Sequence, residues 1–331
     1  MQEKLTEDTI TQEINDAIAA LRDEKDSDPC EDLIRIRGVQ SPAFASAAFA
    51  LDIFYPYILY QDASPKLRDQ IIDLLENAEA KERENIRYYH LLQALAMIGD
   101  DTAVKAIRNW QEHPRPWCEE LSGGPLAHVE GAGWCVEADR TGDVSKRQLF
   151  FNACYALEKS ETAAPGESVF GGTCDEICPA CGCSYINVVL DGRDERLSFL
   201  ELHGKIRIKY CESCVPWAQG MFCRYEEDKE STVILQDGEA GPFFDDADLN
   251  SRPPFVLSKK MVPTSYCDEF DRCAVGGRPA FLYGAGYLNC PECGRVMMHL
   301  AQLGSTWTDC GTHYIQICRD CKIAGVTYQQ T

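Results

Sequence analysis

The 331-residue chain is short of positive charge: 32 Lys+Arg stand against 53 Asp+Glu, a formal net charge of −21. A surface so acidic repels nucleic acid and anionic lipid. No segment concentrates enough bases to reverse that locally, so neither nucleic acid nor membrane is an expected partner. Long apolar runs are scarce too. The longest, residues 43–60, contains Asp52 and Pro56 and reads as a buried helix, not a membrane span. The opening MQEKLTEDT lacks the basic start and apolar stretch of an export signal, so a cytoplasmic location is expected. Nucleotide and hydrolase signatures are missing as well: there is no GxxxxGK[ST], HExxH or GxSxG, and GAGYLN at 284–289 fails GxGxxG at its last position. Histidines number six, and His203, His299 and His313 fall in alternating contexts that suit structural, hydrogen-bonded imidazoles on strands.

What the chain has in quantity is cysteine, 18 residues of it. A disulfide scaffold calls for a short exported protein, so metal binding is the better account. Cys178-Pro-Ala-Cys181-Gly is followed by Cys211-Glu-Ser-Cys214, and Cys290-Pro-Glu-Cys293-Gly by Cys318-Arg-Asp-Cys321. Two residues between thiolates suit a knuckle turn. The glycine after each CPxC is expected to relieve crowding where backbone N–H groups point at sulfur. Four thiolates then close a tetrahedral site. The pattern occurs twice with the same Pro and Gly, which predicts two structural Zn2+ ions, one on Cys178, Cys181, Cys211 and Cys214, the other on Cys290, Cys293, Cys318 and Cys321. Each filled site carries −2, taking the formal charge from −21 to −25. Lys205, Arg207 and Lys209, with Arg295, Arg319 and Lys322, are placed to offset that charge and to hydrogen-bond the sulfurs. Cys174, Cys183 and Cys223 near the first quartet, and Cys267, Cys273 and Cys310 near the second, are alternative ligands. His113, Cys118, His128 and Cys135 have irregular spacing and read as packing or capping residues.

The remaining sequence divides by texture. Residues 1–33 carry eleven acids and three bases, and 6–25 have a helical stripe at Ile10, Ile14, Ala17, Ile18 and Leu21. Residues 41–113 read as four helices. Two start at Ser41-Pro42 and Ser64-Pro65, a third covers 85–98, and Asp101 is placed to cap the fourth. YYHLLQALAMIGDDTAVKAIRNW resembles a HEAT repeat, which implies an α-solenoid. A closing helix is expected at 145–158 and a linker at 162–172. Beyond it, 186–190, 197–202, 205–210, 296–303, 313–318 and 324–328 read as strands.

VGGRPAFLYGAGYLNCPECGRVMMHLAQLGS, with the closing YIQICRDCKIAGVTYQQT, resembles the YwqG-like family, a bacterial family of unassigned function. More distantly, GGRPAFL, the CPECG knuckle, LAQL and CRDC are similar to the programmed-cell-death-protein-2 family. That second resemblance implies a chaperone of ribosomal proteins, in which an acidic, zinc-braced β domain shields a basic client. It covers residues 255–331, and 174–234 as a degenerate first half of a duplication.

The expected architecture is α+β and multidomain. Residues 1–165 form a HEAT-like α-solenoid with an acidic N-terminal helix, and 166–331 a β-rich YwqG-like domain with two zinc-ribbon repeats at about 172–235 and 255–331. The expected function is non-enzymatic binding of a basic protein, a chaperone's client or a toxin held by an immunity protein, because excess acid steers basic partners. An enzyme with an open metal site or reactive thiol, and a nucleic-acid-binding ribbon, are the alternatives. Oligomeric state is not legible.

Overall fold

A computed structural model describes residues 7–78, 85–138, 144–160, 168–236, 253–267, 271–282, 284–305 and 311–330. Its architecture is α+β: a helical region followed by a strand-rich one. The chain divides into two compact units between Arg147 and Gln148, earlier than the texture change near 165 suggests.

The first unit holds helices α1 (Glu7–Asp23), α2 (Asp28–Arg35), α3 (Pro42–Ala50), α4 (Pro65–Glu76), α5 (Asn85–Ile98) and α6 (Asp101–Glu112). The Ser-Pro starts work as capping chemistry requires. The Ser41 hydroxyl accepts from the Ala43 N–H, and the Ser64 hydroxyl from the Leu67 N–H, both at 3.3 Å. The cap of α6 is Asp100 rather than Asp101: its Oδ1 accepts from the Ala103 N–H at 2.9 Å, and Arg68 holds its other oxygen at 2.5 Å. Helix α5 is the central element, with Leu91, Leu92, Ala94, Leu95 and Ala96 fully buried. Tryptophans from the Pro/Gly-rich segment and the strand beyond it close the helix ends, the Trp117 indole donating to the Leu75 carbonyl and the Trp134 indole to that of Ala96.

Two expectations fail here. Residues 43–60 are not one helix: α3 ends at Ala50, and a 3-10 turn (Tyr57–Tyr60) forms after Pro56, which has no N–H to continue a helix. The helix expected at 145–158 is instead strand β2 (Val144–Gln148), paired with β1 (Trp134–Ala138), and strand β3 (Cys154–Lys159). Pairing on both edges of β3 outweighs its helical propensity.

The second unit continues with β4 (Val169–Ile177), β5 (Ser184–Asp191), β6 (Lys205–Tyr210), β7 (Met221–Arg224), β8 (Thr232–Gln236), β9 (Phe255–Leu257), β10 (Ala274–Gly276), β11 (Met298–Leu303), β12 (Thr312–Cys318) and β13 (Ile323–Gln329). Of the expected linker, 162–167 lies outside the described residues, and the rest runs into β4. The strand expected at 197–202 is a 3-10 helix (Glu195–Leu200) capped by Asp194, whose carboxylate accepts from the Arg196 N–H at 3.0 Å. Among the described residues, β3 to β13 form one sheet in the order β6-β5-β4-β9-β3-β10-β11-β12-β13-β7-β8. It curls until β6 meets the turn before β8, where the Asp228 N–H donates to the Lys205 carbonyl at 2.7 Å. Leu190, Ile206, Ile208, Leu300, Ile315 and Val326 fill the interior.

That order has an internal symmetry. Exchanging β3 to β7 with β9 to β13, strand for strand, reproduces every ladder among those ten strands except β12–β13, whose counterpart β6–β7 is close packing without a ladder; β8 has no counterpart. The registers agree as well. Ile186, five residues past Cys181, pairs with Tyr210, one before Cys211; Met298, five past Cys293, pairs with Ile317, one before Cys318. Among the described residues no helix is long and apolar enough to cross a membrane.

Candidate metal centres

Each quartet is assembled by a hairpin. In the first, the CPAC turn leads into β5 and β6 delivers Cys211; in the second, CPEC leads toward β11 and β12 delivers Cys318. The CPxC turns are built alike. The Cys178 N–H donates to the Cys183 carbonyl and the Gly182 N–H to that of Cys178, both at 2.8 Å; Cys290 with Arg295 and Gly294 with Cys290 repeat the pair at 2.8 and 2.9 Å. Gly182 and Gly294 have φ of +81° and +72°. A Cβ on either would meet nothing within 4 Å, so left-handed backbone, not crowding, is why glycine stands there.

The structure brings together the two sets of cysteines read from the sequence: Cys178, Cys181, Cys211, Cys214, and Cys290, Cys293, Cys318, Cys321, with all sulfurs in each set within 4.8 Å of one another. Cys178 and Cys214 are 3.7 Å apart at sulfur, Cys181 and Cys211 3.3 Å, and Cys293 and Cys318 3.8 Å. Thiolates at about 2.3 Å from a tetrahedral zinc stand about 3.8 Å apart, so these donors fit a metal ion of that kind. The quartets differ in exposure. Cys178, Cys211 and Cys214 are fully buried, whereas Cys293 is exposed and Cys321 half-buried.

Crowded, desolvated thiols resist losing protons. Burial, reinforced by Cys181, pushes Cys214 up to about 12, and Cys211 is raised further by burial and the same neighbour. Burial, then Cys290, takes Cys318 to about 11. Cys293 goes the other way because the Arg295 backbone N–H points at its sulfur. A dication among four such thiols reverses the balance and deprotonates them outright.

The bases expected to serve the sulfurs serve carboxylates instead. Lys209, its side chain 2% exposed, reaches Glu230 at 2.9 Å and Glu176 at 3.1 Å. Arg207 pairs with Glu230 at 3.2 Å, Lys205 approaches Asp191 at 4.0 Å, Arg295 pairs with Asp320 at 2.5 Å and Arg319 with Glu201 at 2.8 Å. Carboxylates are the harder acceptors for these ammonium and guanidinium groups. Lys322 adopts left-handed backbone (φ +54°) at the end of the second knuckle, and its carbonyl accepts from the Tyr225 N–H. Sequence reasoning missed Arg224. From β7 it pairs with Glu292 inside the CPEC turn and donates to the Cys321 carbonyl at 3.2 Å, tying one half of the sheet to the cysteine quartet of the other. No periodicity flags such a contact.

Among the described residues, none of the alternative cysteines joins a quartet. The Cys183 sulfur accepts from Ser213 at 3.5 Å, Cys223 is buried on β7, and Cys174 is half-buried on β4. Cys267 packs with Cys154 and Ala274, and the Cys273 sulfur accepts from the Gly304 N–H at 3.2 Å. Cys310 lies outside the described residues. No disulfide joins the described cysteines. Cys118 and Cys135 are buried, the backbone of His113 closes α6, and the His128 carbonyl accepts from Gln93; among the described residues these four form no candidate metal cluster. The three strand histidines diverge. His313 hydrogen-bonds the Tyr210 hydroxyl at 3.0 Å as expected. His203 is exposed in a loop, and fully buried His299 has neither ring nitrogen hydrogen-bonded among the described residues.

Beside the second quartet, three glutamines on neighbouring strands hold Ala280, Leu282, Gly286 and Leu288 by their backbone. Gln302 accepts from the Ala280 N–H at 2.9 Å and Gln329 from that of Leu282 at 2.7 Å. Gln316 accepts from the Leu288 N–H at 2.7 Å while donating to the Gly286 carbonyl at 2.8 Å. The GAGYLN run is thus a loop fastened to the sheet beside the CPEC turn.

Among curated proteins the chain is similar to the uncharacterized protein YpfL of Salmonella typhimurium strain LT2. Identity is 29% over 293 residues, covering 82% of this chain and 64% of that protein. The chain therefore spans less than two thirds of the length of the curated relative it matches. No family model matches the chain, and no solved structure matches it.

Proposed function

We propose that the protein is a non-enzymatic interaction module: a HEAT-like helical unit joined to a duplicated zinc-ribbon unit of the YwqG-like kind, which binds a basic protein partner as a chaperone or an immunity protein does. The observation that carries the reading is the closure of both cysteine quartets. Four sulfurs per site, all within 4.8 Å of one another, would complete a tetrahedron around a zinc ion and leave no position for water or substrate. Two further features support it. The strand order and knuckle hydrogen bonds repeat from one half of the second unit to the other, as a duplicated ribbon requires. The net charge of −21 favours capture of a basic protein by long-range attraction.

The test is twofold. Elemental analysis of protein purified without chelator should find two zinc ions per chain; iron, or a single ion, counts against duplicated ribbons. The zinc-loaded chain, used as bait in its native host's lysate, should retain basic proteins that elute as salt rises. Tight, salt-sensitive retention of RNA instead would overturn the reading.

A further inference from the structure

Helices α1 and α2 border an open groove of about 540 Å³, and the residues along it repeat with helical spacing on both sides. Glu13, Asp16, Ala17 and Ala20 line it from α1; Pro29, Asp32 and Leu33 line it from α2, continued by its C-cap Ile36 and by Arg37. Glu13 to Ala20 and Pro29 to Ile36 each fall at i, i+3, i+4 and i+7, so two helix faces are turned toward the same trough. Its floor is small and apolar. Ala17 and Leu33 are buried, Ala20 half-buried, and Ile36 is left 48% exposed. Its rims carry Glu13 and Asp16 on the α1 side and Asp32 on the α2 side, with one base, Arg37, at one end. Glu13 is held by Arg37 at 2.6 Å at one end, and Asp16 accepts from Gln12 at 2.7 Å. Among the described residues, neither Asp16 nor Asp32 is paired with a base.

We infer that this groove seats one amphipathic, basic helix of the partner protein, an inference that rests on the function proposed above. The occupant follows from charge and shape. An apolar stripe about one residue wide fits between Ala17, Ala20, Leu33 and Ile36. Lysine or arginine on both flanks of that stripe then meets Asp16 on one rim and Asp32 on the other. Helix-in-groove recognition uses this combination of apolar anchors at i, i+3, i+4 and i+7 with charged flanks. The small floor residues let a third helix approach closely, and Ile36 gains the burial it lacks.

The test uses the full zinc-loaded chain and a labelled, four-turn Leu/Lys amphipathic peptide, followed by fluorescence anisotropy at low salt. Wild-type protein should bind it, and a peptide of equal charge with serine in place of leucine should bind much more weakly. Ala20→Arg, which fills the trough, should abolish binding. Asp16→Lys with Asp32→Lys should weaken it at least about tenfold, while Asp73→Lys with Glu112→Lys, an equal charge change on exposed positions of α4 and α6, should alter it less than about threefold, since the groove acids alone face the peptide. Circular dichroism checks that the variants fold. If both reversals weaken binding equally and Ala20→Arg is harmless, the groove assignment is wrong while basic-partner capture stands. Failure of the wild-type chain to bind either peptide overturns both. Dimerisation of the chain through α1 and α2, relieved by Ala20→Arg, would make a second copy the occupant and overturn the assignment.

Discussion

His299 offers the sharpest test of the packing of the second unit. Its side chain is fully buried on β11 across from Gln316, 6.5 Å from the Tyr314 ring, and neither nitrogen is hydrogen-bonded among the described residues. Burial alone pulls its pKa from 6.5 to about 3. The sign follows. The unfolded chain takes up a proton as pH falls through 6.5, whereas the folded chain does so only near 3, so folding is progressively penalised below 6.5 and fully below 3. At pH 5.5 the penalty is about 1.4 kcal/mol, one unit of separation at about 1.36 kcal/mol per unit. His299→Leu keeps the volume and removes both the proton site and two unsatisfied nitrogens. At pH 7.5 it should be neutral or stabilising. Between pH 7.5 and 5.5 its unfolding free energy should gain about 1.4 kcal/mol on wild type. Urea unfolding of zinc-loaded protein, followed by circular dichroism, measures the difference, and acid loss of metal is common to both chains. A difference independent of pH, or an imidazole that NMR shows titrating near 6.5, would refute the burial argument.

Metal should leave the quartets in order of exposure: a chelator should strip the Cys290 set, with exposed Cys293, before the Cys178 set, and Cys293→Ser should erase the fast phase of release; simultaneous release would contradict this. Arg224→Ala, which frees Glu292 and the Cys321 carbonyl, should speed that fast phase and leave the slow one unchanged in the same stopped-flow assay. Gln316→Leu orphans the Leu288 N–H and the Gly286 carbonyl and should cost about 2 kcal/mol in denaturant unfolding; a loss below about 0.5 kcal/mol would mean that Gly286 and Leu288 are held by other contacts.

Local chemistry made part of this protein legible from residue order. Ser41-Pro42 and Ser64-Pro65 start helices wherever they stand, because hydroxyl capping and a fixed proline φ act within one turn. The quartets were readable for the same reason. Two residues between cysteines and a left-handed glycine specify a knuckle turn locally, and a knuckle that occurs twice points to two sites. Alternation identified β5, β6, β11, β12 and β13. Longer-range pairing was not legible. Residues 145–158 read as a helix until neighbouring strands claim them, and 197–202 alternate like a strand but end in a 3-10 turn with no ladder to join. Whether Lys209 serves sulfur or carboxylate depends on Glu176 and Glu230, far away in sequence. The same holds for Arg224 at the other half's cysteine quartet and for a buried His299 without a hydrogen-bond partner among the described residues. Backbone conformation and cysteine spacing are properties of a few adjacent residues, so the sequence by itself determined the capped helices, the knuckles and the two sets of four cysteines that the fold brings together. Strand order, ion-pair choice and burial depend on which distant segments the fold places side by side, and only the tertiary structure decided those.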